Sequence, residues 1–278
     1  KQQDEVIAIQ DIFNNGGSHA LCGVFDGHGV EGHRVAAFVK RRLPMEVSRR
    51  FADFESDPIQ AFTRVFASTN AALRARRSGP IDIYMSGTTA TVALISATQV
   101  LVANLGDSRA ILIQRPTQLT ELPGNSGADT TQITTDHTCE CEPERARVEQ
   151  SGARVDYQRE PSRSLPTPSA HTIDGPLRIY NGSLPYPGLV VTRAFGDSSA
   201  LRLGVISEPE VRCYTLNPAR DVGLVLATDG VWDVLQNQHV AHIYSSHPGN
   251  MAKVSKLITK VSLKMQQRAQ LADNTTVV

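Results

Sequence analysis

The sequence is short of cysteine, has no excess charge of either sign and contains no long apolar run. Each lack closes off a class of protein. Lys+Arg and Asp+Glu both number 28 in 278 residues. That balance argues against a nucleic-acid binder driven by attraction to the phosphate backbone. No stretch of about 18 apolar residues occurs, so no membrane span is predicted. The four cysteines, Cys22, Cys139, Cys141 and Cys213, contain no CxxC pair. Free thiols in a reducing compartment, cytoplasmic or nuclear, are expected. Cys139 and Cys141 form a CxC pair whose alternative reading is a metal clip; with no second pair it is a weak signal, and free thiols are the favoured reading. There is no internal repeat and no linker. With 40% hydrophobic residues, one domain over 1–278 and a monomer are expected.

Strands are predicted in close pairs. Val6 to Phe13 and Ala20 to Phe25 flank the turn-like Asn14–Ser18. Thr88 to Ile95, Val100 to Asn104 and Arg109 to Ile113 follow in quick succession, which suits antiparallel hairpins. Amphipathic helices are predicted from Pro58 to Arg77, where Phe62, Phe66 and Leu73 share a face, and from Asn250 to Arg268, where Val254, Ile258 and Val261 do. A shorter helix from Glu31 to Leu43 is expected to stop at Pro44. The sum is an α+β architecture with helices covering sheet faces. Two stretches read as loops: 114–132, rich in Pro, Thr, Gly and Ser, and 156–187, with six prolines. The second is expected to be a flap near the functional site.

The chemistry is signalled by apolar strands that run straight into an aspartate. Leu21–Phe25 leads to Asp26-Gly27. Leu101–Gly106 leads to Asp107, and Val222–Thr228 leads to Asp229-Gly230. Asp273 precedes the apolar Thr275–Val278. A buried strand fixes the position of its end residue, and a neighbouring glycine lets the backbone turn. Several carboxylates brought together repel unless a cation lies between them. All-oxygen donors suit Mg²⁺ or Mn²⁺. A single Asp-Gly of this kind is usually an ordinary turn; it is the recurrence that carries the inference.

Gly27-His28-Gly29-Val30-Glu31-Gly32 also fits the GxGxxG pattern of a dinucleotide-binding turn. Asp26 beside an anionic pyrophosphate and the hairpin context weigh against it. A nucleotide-dependent oxidoreductase remains the remote alternative.

Taken together, Val24–Gly29, Ser86–Ala90, Ala103–Ala110, Thr135–His137, Thr192–Asp197, Ala227–Asp233 and Asp273-Asn274 resemble the type-2C protein phosphatases, in the family's order along the whole chain. The resemblance implies a four-layer αββα sandwich, two stacked antiparallel β-sheets flanked by helices. It implies hydrolysis of phosphoserine and phosphothreonine in phosphoprotein substrates, with no covalent intermediate. A water activated by two Mg²⁺ or Mn²⁺ ions would attack phosphorus. By similarity Asp26 bridges both ions, the Gly27 carbonyl helps bind one, and Asp229 and Asp273 ligate the other. Asp4 resembles the aspartate of the first acidic motif. Asp107 and Asp233 resemble ligands of a third, weaker ion. His28 resembles the group that protonates the leaving oxygen.

Arg193 is either a flap or substrate contact or a structural salt bridge. Cys22 and Trp232 are expected to pack the core. Two departures stand out. Gln3-Asp4 replaces the frequent Glu-Asp, which should weaken metal affinity. The family's phosphate-binding basic residue would fall just before Lys1. These departures keep open a second function, a pseudophosphatase that acts as a scaffold or binding module.

Overall fold

The computed structural model describes residues 2–76, 79–116, 128–161 and 171–278, with the backbone alone at 159–161 and 171–174. In chain order the strands are β1 (Glu5–Ile9), β2 (Ala20–Phe25), β3 (Gly27–His28), β4 (Gly87–Thr88), β5 (Ala90–Ile95), β6 (Gln99–Leu105), β7 (Arg109–Gln114) and β8 (Asp129–Gln132), then β9 (Arg154–Pro161), β10 (His171–Tyr180), β11 (Pro187–Leu189), β12 (Phe195–Gly196), β13 (Glu210–Thr215) and β14 (Asp221–Ala227). The helices are α1 (Gly32–Ser48), α2 (Phe51–Ser56), α3 (Pro58–Arg74), α4 (Glu142–Gln150), α5 (Asp229–Trp232), α6 (Asn237–Ser245) and α7 (Met251–Ala269).

Period-two patterning builds two sheets with two apolar faces each. The first has the order β1-β2-β5-β6-β13 and the second β14-β7-β8, with antiparallel pairing throughout. Val24, Ala93 and Val102 of the first sheet meet Ala110, Leu112 and Leu226 of the second in a core that, among the described residues, contains no helical one. Alternate residues Leu21, Phe25, Val92 and Leu101 face outward onto Val35, Val39, Phe62 and Phe66 of α1 and α3. Ile111, Ile113 and Val225 face the other way, onto Val240, Val254 and Ile258 of α6 and α7. The result is the expected four-layer αββα sandwich. Each fully buried Phe or Leu contributes roughly 1.5–3 kcal/mol by leaving water.

Local signals set the helix starts. The Asp57 carboxylate accepts the Gln60 N–H at 3.0 Å, with Pro58 in the first turn. Asn250 does the same for Lys253 at 3.1 Å. Both are side-chain N-caps.

Three expectations need correcting. Helix α1 does not stop at Pro44 but runs to Ser48. The proline forfeits one backbone bond, yet Leu43 and Val47 are buried in the core, and buried Glu46 pairs with Arg42 and Arg50. The first strand ends at Ile9, because Asp11 enters a turn at φ +51° and its carboxylate accepts the N–H groups of Asn15 and Gly16. Of the stretch 156–187, residues 162–170 lie outside the described residues, and the rest is not a bare loop: it is mostly the antiparallel pair β9-β10, joined by β11. Three of its prolines sit where a sheet tolerates them. Pro161 ends β9, Pro176 lies in a register shift and Pro187 starts an edge strand. In the other predicted loop, 117–127 lie outside the described residues, and Asp129–Gln132 form edge strand β8.

Candidate active site

The carboxylates converge because neighbouring strands end at the same edge of the sandwich. Glu5 pairs with Phe25 across β1 and β2, so Asp4 and Asp26 emerge side by side. Thr89 pins Asp26 twice: its Oγ1 accepts the Asp26 N–H at 3.0 Å, and its own N–H reaches the Asp26 carbonyl at 2.9 Å. Asp107 follows β6 across Gly106, whose φ of +104° favours glycine. Asp229 opens α5, separated from β14 by Thr228 alone. Val277 bridges Ala227, and the Thr228 N–H donates to the Thr276 carbonyl at 3.1 Å. Those contacts bring Asp273 to the same edge. Gly230 permits the close approach, since a Cβ there would lie 1.8 Å from the Asn274 carbonyl oxygen.

Asp26 is within hydrogen-bond reach of both Asp4 and Asp229. Burial, reinforced by the neighbouring acids, pushes the carboxyls of Asp26 and Asp229 well above the usual range. Burial likewise raises Asp107 to about 7 and lifts Asp4 and Asp233. Thr228 Oγ1 donates to Asp4 Oδ2 at 2.9 Å. Asp4 Oδ1 and Asp229 Oδ1 are buried with no hydrogen-bond partner. Buried, orphaned carboxylate oxygens in an acidic cluster are costly unless a cation joins them. Among the described residues no group of three or more His, Cys, Asp and Glu side chains stands in ready ligating geometry. The donor chemistry and the orphaned oxygens nevertheless fit hard divalent cations.

A cavity of about 570 Å³ opens beside the cluster, lined by Asp26, Gly27, His28, Asp107, Asp229 and Asp273 among others. A second, of about 820 Å³, shares Asp107, Asp229 and Asp273 and adds Asp233 and Asp136. Arg178 on β10 lines both and is the one Lys or Arg among the described residues lining the first. It donates to the Gly188 carbonyl at 2.7 Å and to Gln158 Oε1 at 2.8 Å. Pro187, Gly188 and Leu189 of β11 complete that wall.

His28 enters the cleft from β3, one strand of a small β12-β4-β3 sheet. Its Nε2 lies 2.6 Å from Asp197 Oδ2. Burial alone would lower the imidazole pKa, but the charge and hydrogen bond of Asp197, with help from Asp26 and Asp107, raise it to about 9. Asp197 takes a left-handed φ of +42° and was not singled out from sequence. Gln266 of α7 was also missed: its amide donates to the Gly230 carbonyl at 2.7 Å, and its Oε1 accepts the Asp273 N–H at 3.3 Å.

Gln3 caps the start of α1, accepting the His33 N–H at 3.2 Å, and its own N–H donates to Asn274 Oδ1 at 2.5 Å. Arg193 pairs with buried Glu144 at 2.6 Å and donates to the Glu208 carbonyl. Its salt-bridge reading is the one this geometry carries. Trp232 is buried and donates to the Ala227 carbonyl, with Arg109 over its ring and bound to Asp136. Cys22 packs between the sheets, where burial pushes its thiol up to about 12.

The glycines of Gly27–Gly32 serve chain packing. A Cβ on Gly27 would meet Gly32 at 2.6 Å, and one on Gly29 would meet the Met85 carbonyl at 2.1 Å. Strand β2 lies between antiparallel neighbours, so it is not the first strand of a dinucleotide-binding βαβ unit.

The family model for protein phosphatase 2C matches residues 1–274, and the chain belongs to this family. It is 34% identical over 261 residues to probable protein phosphatase 2C 64 of Oryza sativa subsp. japonica, covering 91% of this chain and 56% of that protein. It is 30% identical over 269 residues to probable protein phosphatase 2C 72 of Arabidopsis thaliana, covering 93% and 75%. The chain thus spans little more than half the length of the rice protein. Its fold matches a crystal structure of serine-threonine phosphatase 2C from Toxoplasma gondii, with TM-score 0.76 and 19% identity, covering 100% of this chain and 89% of that one.

Proposed function

We propose that the protein is a Mg²⁺- or Mn²⁺-dependent phosphatase acting on phosphoserine and phosphothreonine in proteins. The observation that carries this reading is the carboxylate cluster with two buried, unpartnered oxygens, on Asp4 and Asp229, beside an open cleft. Asp26, Asp229 and Asp273, with Asp4 beside them and the Gly27 carbonyl, would hold two ions; Asp107 and Asp233 would hold a third. Bound there, divalent ions acidify water and offset charge on phosphoryl oxygens.

The chain's own groups supply the rest. His28 is the general acid. Because Asp197 engages its Nε2, Nδ1 is the nitrogen left to protonate the departing serine or threonine oxygen. Arg178 offers the cleft wall a fixed cation towards the substrate phosphate, at a site where Gln3 brings no charge. No serine or cysteine nucleophile is required.

Phosphate release from a phosphothreonine peptide tests the reading. Activity is expected with Mn²⁺ and lost on chelation. Asp26→Ala and Asp229→Ala should each reduce turnover about 10²-fold or more. Full activity in either variant would overturn the mechanism. Calorimetry separates the scaffold alternative, which expects no Mn²⁺ binding heat.

A further inference from the structure

Between Asp233 and Asp273 the sequence contains no acidic residue. That stretch holds Lys253, Lys256, Lys260, Lys264 and Arg268, all in α7. A chain of zero net charge thus gathers five positive groups on one helix. Their spacing of three or four residues keeps them on one side, within an arc of roughly 120° and a row about 22 Å long. All five are exposed, and among the described residues none is ion-paired. Like charges at i,i+4 repel and do not help the helix form. The opposite stripe, Val254 and Ile258, is buried in the core, so the cationic row is held as a fixed surface.

A groove of about 540 Å³ runs beside the row, lined by Lys256, Thr259, Lys260, Leu263, Lys264 and Val277. Leu263 is 48% exposed, so the groove combines a cationic wall with an apolar contact point. We propose that this groove docks an acidic, partly apolar peptide segment of a partner protein. Asp or Glu side chains would pair with the lysine row, and an apolar side chain would cover Leu263 and Val277. Charge complementarity of this kind gives specificity and speed of association.

A peptide fits better than the other anionic partners. A membrane-surface helix turns its apolar stripe towards lipid and carries interfacial aromatics. Here that stripe is buried, and no Phe, Trp or Tyr occurs from Ser245 to Val278. The same lack removes the stacking platforms that single-stranded nucleic acid uses. The row also points to a position: Arg268 lies two residues beyond Gln266, which holds Gly230 and Asp273. A segment docked along α7 therefore ends next to the catalytic cleft. The proposal itself does not rest on catalysis.

Fluorescence anisotropy tests it, with a short labelled peptide of glutamates and two leucines titrated with the protein, in the presence and absence of EDTA. Binding is expected to persist in EDTA, to weaken with salt, and to be absent for the same peptide with glutamine in place of glutamate. Combined Lys256→Glu, Lys260→Glu and Lys264→Glu should weaken it roughly tenfold or more. The triple alanine variant should weaken it less and serves if the reversal misfolds by thermal melt. Undiminished binding in a folded variant would overturn the proposal. So would loss of binding in EDTA, which would place the peptide at the carboxylate cluster, or tighter binding of phosphatidylserine vesicles or a single-stranded oligonucleotide.

Discussion

His28 and Asp197, 169 residues apart in sequence, meet at 2.6 Å across the mouth of the acidic cleft. Gly87 makes room for the pair, since a Cβ there would lie 2.0 Å from Asp197 Oδ2 and 2.6 Å from His28 Nε2. The aspartate orients the imidazole and raises its pKa, which makes it a positioning residue for the proposed acid. Asp197→Asn is expected to slow turnover of a phosphothreonine peptide by roughly 10–100-fold. Hydrolysis of p-nitrophenyl phosphate should fall much less, because its leaving group needs no proton. Equal losses on both substrates would assign Asp197 a purely structural role.

Gln266 holds Asp273 in place from a helix outside the cleft. Its Nε2 also reaches Thr275 Oγ1 at 3.1 Å. Removing a group that orients a metal ligand typically weakens affinity 10–100-fold. Gln266→Ala should therefore raise the Mn²⁺ concentration needed for half-maximal activity by about tenfold, with turnover recovering at saturating metal. A titration of activity against Mn²⁺ reads both quantities. An unchanged midpoint would remove Gln266 from the support of the site.

His137 should make the fold sensitive to mild acid. Burial, with Arg193 nearby, lowers its pKa to about 4. Its Nδ1 accepts the Gly106 N–H at 3.2 Å, a role that needs the neutral ring. The folded value lies below the unfolded one, near 6.5. Its contribution is therefore intact above about pH 6.5 and is lost as pH falls towards 4, by up to about 3 kcal/mol. Urea denaturation from pH 7 to pH 4 should show this slope in the wild type and a shallower one in His137→Asn.

The strand ends that carry Asp26, Asp107 and Asp229 were legible because the signal is local: an apolar run, then a carboxylate beside a glycine. The close strand pairs were legible from the residues, whereas the two stacked sheets came from the resemblance to the type-2C phosphatases. Asp197 was not, because its role comes from a partner far along the chain and from a left-handed turn that leaves no pattern. Gln266 was hidden among the polar residues of α7, where nothing in the spacing separates a buried amide from an exposed one. Pro44 misled because a proline's local cost says nothing of the core contacts that outweigh it. In the β9-β10 hairpin, prolines at strand ends and in a register shift looked like loop punctuation. Arg193 left two readings open, and only the position of Glu144 on α4 separates them.

Gln3 and Asn274 are joined by a hydrogen bond, and Asp4 shares its cluster with Asp273. The cleft is thus stitched from segments 271 residues apart. Until the segment that carries Asp273 has been made, a nascent chain lacks one side of the carboxylate cluster, however well its hairpins have formed. The proposed activity should therefore switch on abruptly once that segment is in place instead of growing as the chain lengthens.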